Sequence, residues 1–235
     1  MKIFDLLIGM SALVLSGYAL AGYEAGVTAY KNGDYEAAFQ EFEPLAEDGE
    51  ARAQRYMGLM YELGDFVPQD SKKAAKWYRL AADQGDANAQ YALGSMYFSG
   101  QGVPMDYEEA LKWDLLAAEG GVADAQFVVG VAYDGGHVFE QDFVLAAKWY
   151  RRSAEQGYHW AQFALAQLYS EGKGVPKDLV EAYAWFAVAA ANGSTDAEKP
   201  RKVTSKMMTP SQLEKAKSLA REYFDRYEFG ASQSG

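Results

Sequence analysis

The stretch Ala87–Val122, A-N-A-Q-Y-A-L-G-S-M-Y-F-S-G-Q-G-V-P-M-D-Y-E-E-A-L-K-W-D-L-L-A-A-E-G-G-V, decides how the whole chain is read. Shifted by 36 residues it recurs from Ala51, Ala123 and His159. Glutamines fall in register at Gln54, Gln90, Gln126 and Gln162, and tyrosines at Tyr61, Tyr97, Tyr133 and Tyr169. Aspartates at Asp70, Asp106, Asp142 and Asp178 and tryptophans at Trp77, Trp113, Trp149 and Trp185 do the same. A fixed period of this length is the signature of a solenoid of stacked supersecondary units. The expected fold class is all-α.

Each unit reads as two helices. In the first, Ala89, Leu93, Met96 and Tyr97 occupy positions three, seven, ten and eleven of the unit, one apolar stripe at helical spacing. Gly58, Gly94, Gly130 and Ala166 sit inside that helix, where a missing side chain lets the second helix pack close. Gly64, Gly100, Gly136 and Gly172 suit a left-handed C-terminal cap. The loop then carries a proline in three units (Pro68, Pro104, Pro176), which separates the helices, and the aspartate that follows is the N-cap of the second helix. The second helix sets its tryptophan beside small residues, as in Trp77, Ala81 and Ala82, so the tryptophan column is read as core.

These residues resemble the Sel-1-like repeat, a relative of the tetratricopeptide repeat, in four copies: 51–86, 87–122, 123–158 and 159–194. The resemblance implies a right-handed α-solenoid whose first helices line a concave face, and an adaptor or scaffold role; several such relatives are bacterial envelope or secreted proteins. Repeat three departs most, with His137-Val138-Phe139-Glu140 in place of the V-P loop, which marks Gly135–Gln141 for a different path.

Outside the repeats, residues 1–21 read as a secretory signal peptide: Lys2, an apolar run, then Ala19-Leu20-Ala21 before the cut. Asp5 interrupts the run, and an uncleaved inner-membrane anchor is the alternative. The expected location is periplasmic or secreted. Residues 22–50 form a shorter, tetratricopeptide-like capping unit with Asp34 as N-cap. Past Ser194 the period is expected to stop. Thr195–Met208 reads as a linker or irregular cap, and Thr209-Pro210-Ser211-Gln212 opens a capping helix over Pro210–Glu228 by a capping box. Leu213, Ala216, Leu219, Ala220 and Phe224 should face the last repeat, with a disordered tail over 230–235.

Charge and composition exclude several chemistries. Residues 22–198 hold 13 Lys/Arg against 28 Asp/Glu, and residues 199–235 hold 8 against 4. An acidic solenoid repels nucleic acid, whose binding draws on phosphate neutralisation. With no cysteine and two histidines (His137, His159), neither a disulfide framework nor a usual metal site is expected. No cofactor fingerprint, zinc-protease motif or nucleophile elbow is present. Some relatives have been assigned penicillin binding or hydrolysis, but the serine–lysine motif of that chemistry is absent, so no catalytic residue is expected.

The remaining function is recognition. If positions three, seven, ten and eleven of the first helix are core, positions two, six, nine and thirteen face the groove. That stripe is Arg52, Tyr56, Leu59, Leu63; Asn88, Ala92, Ser95, Ser99; Asp124, Val128, Val131, Gly135; and Trp160, Ala164, Gln167, Glu171. Relatives often place a backbone-clamping asparagine at position six. Here that position is Tyr56, Ala92, Val128 and Ala164, which suggests apolar ground with polar edges for a peptide segment. Trp160 has no aromatic equivalent at Arg52, Asn88 or Asp124, so it is either an interface anchor or a residue packed on Tyr158. The expected partner is another envelope or extracellular protein. The alternative is a peptidoglycan- or polysaccharide-associated accessory role.

Overall fold

The computed structural model describes residues 20–227. The signal-peptide reading falls outside these residues except at Leu20 and Ala21, which belong to the first helix; the tail over 230–235 also lies outside them. All regular structure described is helical. α1 covers 20–31 and α2 Tyr35–Glu47; then come the repeat pairs α3 (Ala51–Leu63) with α4 (Ser71–Asp83) and α5 (Ala87–Ser99) with α6 (Tyr107–Glu119). They continue with α7 (Ala123–Gly135) and α8 (Phe143–Ala154), then α9 (His159–Glu171) and α10 (Leu179–Ala191). α11 (Glu198–Lys206) and α12 (Pro210–Tyr227) complete the described chain.

The caps follow the sequence. Gly64, Gly100, Gly136 and Gly172 end α3, α5, α7 and α9 in the left-handed conformation. Asp70, Asp106, Asp142 and Asp178 accept from the first backbone amides of the helices after them. Thr209 and Gln212 close the capping box reciprocally at the start of α12. Each loop returns through the same bond, the aspartate amide donating to the tyrosine carbonyl, at 2.8–3.0 Å in all four repeats. Loop three differs inside that frame. Phe66, Gly102 and Gly174 have positive φ, whereas Val138 at the equivalent place does not, because a β-branched residue avoids that region. At Gly102 the requirement is also steric, since a Cβ there would stand 2.0 Å from the Ser71 carbonyl oxygen.

The chain packs as two compact units that divide within α6, between Trp113 and Asp114. In the first, Phe42, Ala46, Ala53, Met57 and Met60 join α2 to α3, and Tyr78, Ala81, Ala82, Leu93 and Met96 join α4 to α5. In the second, one core runs from Ala146 and Tyr150 through Leu165 to Trp185, Phe186 and Ala197.

The core is centred one residue beyond the tryptophans. Trp149 and Trp185 are buried and Trp77 and Trp113 only half-buried, while the following Tyr78, Tyr150 and Phe186 are almost fully enclosed. Helical glycine makes room for these rings: a Cβ on Gly58 would come within 2.6 Å of Tyr78, and one on Gly130 within 2.5 Å of Tyr150. Buried glutamines tie successive helices, with Gln54, Gln90, Gln126 and Gln162 donating to the carbonyls of Ala46, Ala82, Ala118 and Ala154.

Beyond Ser194 the structure corrects the sequence reading. Most of the segment expected as a linker is α11, and it keeps the repeat register: Ala197 occupies position three, as do the fully buried Ala53, Ala89, Ala125 and Ala161. Thr204 is buried at position ten, in line with Met60, Met96 and Leu168. α11, nine residues long, therefore stands as the shortened first helix of a fifth pair, and both it and α12 pack on α10. α12 buries Ala216 and sets Tyr223 and Tyr227 over Trp185, with ring centroids 4.6 and 5.6 Å away.

Candidate partner-binding surface

In the first unit the two stripes differ. Asn88, Ser95 and Ser99 on α5 are exposed and Ala92 is half-buried. On α3, Arg52 is exposed, but its guanidinium lies 4.1 Å from the Tyr23 ring centroid and its Nε 2.7 Å from Glu50. Tyr56 stacks on Phe42 at 4.5 Å and meets Tyr23 and Tyr30 edge-on. Both residues thus hold α1 and α2 against α3, a contact absent from the repeat pattern because α1 and α2 precede it. Leu59 is half-buried against the core, and Leu63 is open to solvent.

In the second unit the stripe presents two large apolar side chains, one on each of its first helices. Val131 on α7 and Trp160 on α9 are each 44% exposed, with Asp124, Val128 and Ala164 half-buried between exposed Gly135, Gln167 and Glu171. The Trp160 ring meets the His159 imidazole at 5.0 Å. Tyr158 instead faces Phe127, at 5.3 Å.

The stripe extends where the sequence reading ended it. Pro200, Val203 and Met207 occupy positions six, nine and thirteen of the fifth pair. With Gln167 and Glu171 of α9 they bound a cavity of about 380 Å³ floored by Leu179 and Phe186. Only Ala197 and Thr204 carried the register into α11 at buried positions, and two small residues make a faint signal.

Among the described residues no group of three or more His, Cys, Asp or Glu side chains is placed to hold a metal ion, and no helix is long and apolar enough to cross a membrane. The most perturbed acid, Asp114, is buried with Oδ1 unpartnered, and burial pushes its carboxyl up to about 7. Burial and a neighbouring carboxylate raise the phenols of Tyr78 and Tyr150.

A family model for the Sel1 repeat matches residues 51–86, 87–122, 123–158 and 161–194. Among solved structures, a Sel1 repeat protein from Oxalobacter formigenes is 38% identical with a TM-score of 0.68, over 72% of this chain and 49% of that one. A protective antigen present in uropathogenic Escherichia coli strains, displaying an SLR fold, is 30% identical with a TM-score of 0.61, over 91% of this chain and 55% of that one. The chain thus spans about half the length of these relatives. No curated protein matches it. Sel1 repeat proteins are generally protein-interaction scaffolds, and the fold is typically non-catalytic.

Proposed function

The chain belongs to the Sel1 repeat family, and from that premise we propose that it is a non-enzymatic adaptor of the bacterial cell envelope. It binds another envelope or extracellular protein along the face formed by its first helices. The observation that carries this reading is the pair of large apolar side chains, Val131 and Trp160, left accessible on that face in the second unit. A tryptophan presented this way gains by burial against a partner, and aromatic anchors commonly dominate interface energies by about 2 kcal/mol or more. Export through the first 21 residues delivers the protein to the compartment where such a partner resides.

The experiment compares retention of envelope proteins by the native protein and by a Val131→Ser, Trp160→Ala double variant. Both side chains are accessible and leave the core intact, so the variant's unfolding free energy should match the native one to within about 0.5 kcal/mol. A protein retained by the native form and lost by the variant supports the reading; equal retention moves the binding face elsewhere. Mass spectrometry of the protein recovered from periplasm, reporting whether its N-terminus is Gly22, tests the export component.

A further inference from the structure

We infer that the cavity between α9 and α11 is an anchoring pocket, which takes one large apolar side chain from an extended partner segment bearing acidic residues beside it. This rests on the adaptor reading above and names the chemistry of the partner. Three observations carry it.

The first is the apolar ground. Val203 and Met207 are 53% and 58% exposed at positions nine and thirteen of α11, and half-buried Leu179 lines the pocket beside them. Enclosing a side chain of leucine or phenylalanine size removes apolar surface from water, and methionine adapts its shape to what enters. Phe186 is only 1% exposed, so the pocket offers no open ring face on which a sugar could stack.

The second is charge. Glu171 on one wall is matched by Lys173, with Nζ 2.7 Å from Oε2. On α11, Arg201 and Lys202 lie outside the lining and share Glu198, whereas Lys199, which does line the pocket, makes no ion pair among the described residues. The uncompensated charge at the rim is therefore positive, in a chain whose residues 22–198 are strongly acidic. Complementarity of this sort selects the partner more than it adds raw affinity.

The third is the polar edge. Ser170 donates its hydroxyl to the Gln167 carbonyl, while the Gln167 carboxamide is exposed and makes no side-chain hydrogen bond among the described residues. A carboxamide can donate to a carbonyl and accept from an N–H, as an extended backbone requires.

The test uses the full chain labelled with 13C at its methionine methyl groups, observed by NMR. Three blocked pentapeptides are titrated to 5 mM: acetyl-Ser-Glu-Leu-Glu-Ser-amide, its Lys-Leu-Lys counterpart, and Glu-Ser-Glu with leucine removed. The expected result is a saturable shift of the Met207 methyl with the Glu-Leu-Glu peptide, at least tenfold weaker for the other two. Val203→Glu, at an exposed site, should weaken binding at least tenfold, and Lys199→Glu should invert the preference towards the Lys-Leu-Lys peptide. Absence of any Met207 shift, equal binding of the charge-reversed peptide, or indifference to Val203→Glu would each overturn the inference. The two readings fail separately: a partner retained by Val203→Glu but lost by the Val131, Trp160 double variant leaves the adaptor standing without this pocket, and a partner retained by the double variant moves the adaptor's binding face while the peptide titration still decides the pocket.

Discussion

The Tyr150 hydroxyl stands 3.1 Å from the Asp134 carboxylate, at the repeat positions where the Tyr78 hydroxyl stands 2.6 Å from Glu62. In both pairs a phenol from the second helix crosses a helical glycine and reaches the penultimate residue of the first. The ring is core and the hydroxyl is its polar handle, a division of labour that buried tyrosine favours. Tyr150→Phe should therefore cost about 0.5–1.5 kcal/mol, the net worth of one hydrogen bond, and Tyr150→Ala about 3–5 kcal/mol. Urea denaturation of the two variants checks this. Equal losses would mean that the ring contributes nothing beyond its hydroxyl.

Repeat two breaks that arrangement. Where the other repeats place Tyr78, Tyr150 and Phe186 it has Asp114, 5% exposed, and the first-helix position of Glu62 and Asp134 is Phe98, 63% exposed. Burial raises the Asp114 carboxyl to about 7, against about 3.9 for an unfolded chain, so the native state binds this proton more tightly. The contribution to stability is then fully favourable below about pH 4, declines as pH rises, and levels off above about pH 7, for a loss of order 4 kcal/mol. Asp114→Asn should flatten that decline and raise stability at pH 8. Denaturation midpoints measured from pH 4.5 to pH 8 decide it, and an unchanged slope in the variant would remove Asp114 as the cause.

The repeats were legible because their signals are chemical as well as hydrophobic. Glycine at Gly64, Gly100, Gly136 and Gly172 meets a backbone demand, and aspartate at Asp70, Asp106, Asp142 and Asp178 meets the open amides of a helix start. The fifth pair was illegible because its register survives in Ala197 and Thr204 while Arg201 replaces the apolar residue at position seven. The groove stripe was legible as geometry but not as availability. Nothing in a 36-residue period announces that Tyr56 is spent on Phe42, since α1 and α2 lie outside the four matched repeats.

Gln162 shows how the column of buried amides works. It donates to the Ala154 carbonyl at 3.0 Å and accepts from Asn192 at 3.1 Å, and Asn192 in turn donates to the Tyr227 carbonyl at 3.2 Å. The ends of α8, α10 and α12 are thereby joined through α9. Gln162→Leu keeps the volume and removes both side-chain bonds, while the Ala154 carbonyl keeps the Gly157 amide, a loss of about 1–3 kcal/mol for the two bonds together. The measurement is the thermal midpoint together with exchange of the Asn192 side-chain amide protons. No fall in midpoint and no faster exchange would show that the column is dispensable.

The last prediction concerns what α12 covers. Ala216 is fully buried, and about two and three turns further on Tyr223 and Tyr227 lie over Trp185, with the Tyr223 hydroxyl 3.1 Å from Glu181. Trp185 is itself 1% exposed and belongs to the core shared by α8, α9 and α10. Ala216→Lys forces a long charged side chain into a site with no room, which costs at least about 1–3 kcal/mol from overpacking alone, with charge burial added. The variant relieves this by lifting α12, so Trp185 becomes accessible while the repeat helices persist. Lys215→Ala, one residue away on the exposed side, serves as the control and should stay within about 0.5 kcal/mol of the native protein. The readouts are quenching of tryptophan fluorescence by acrylamide and far-ultraviolet circular dichroism. Increased quenching with a small loss of helical signal in Ala216→Lys, and neither change in Lys215→Ala, is the expected outcome. Unchanged quenching in Ala216→Lys would mean that α12 does not protect Trp185.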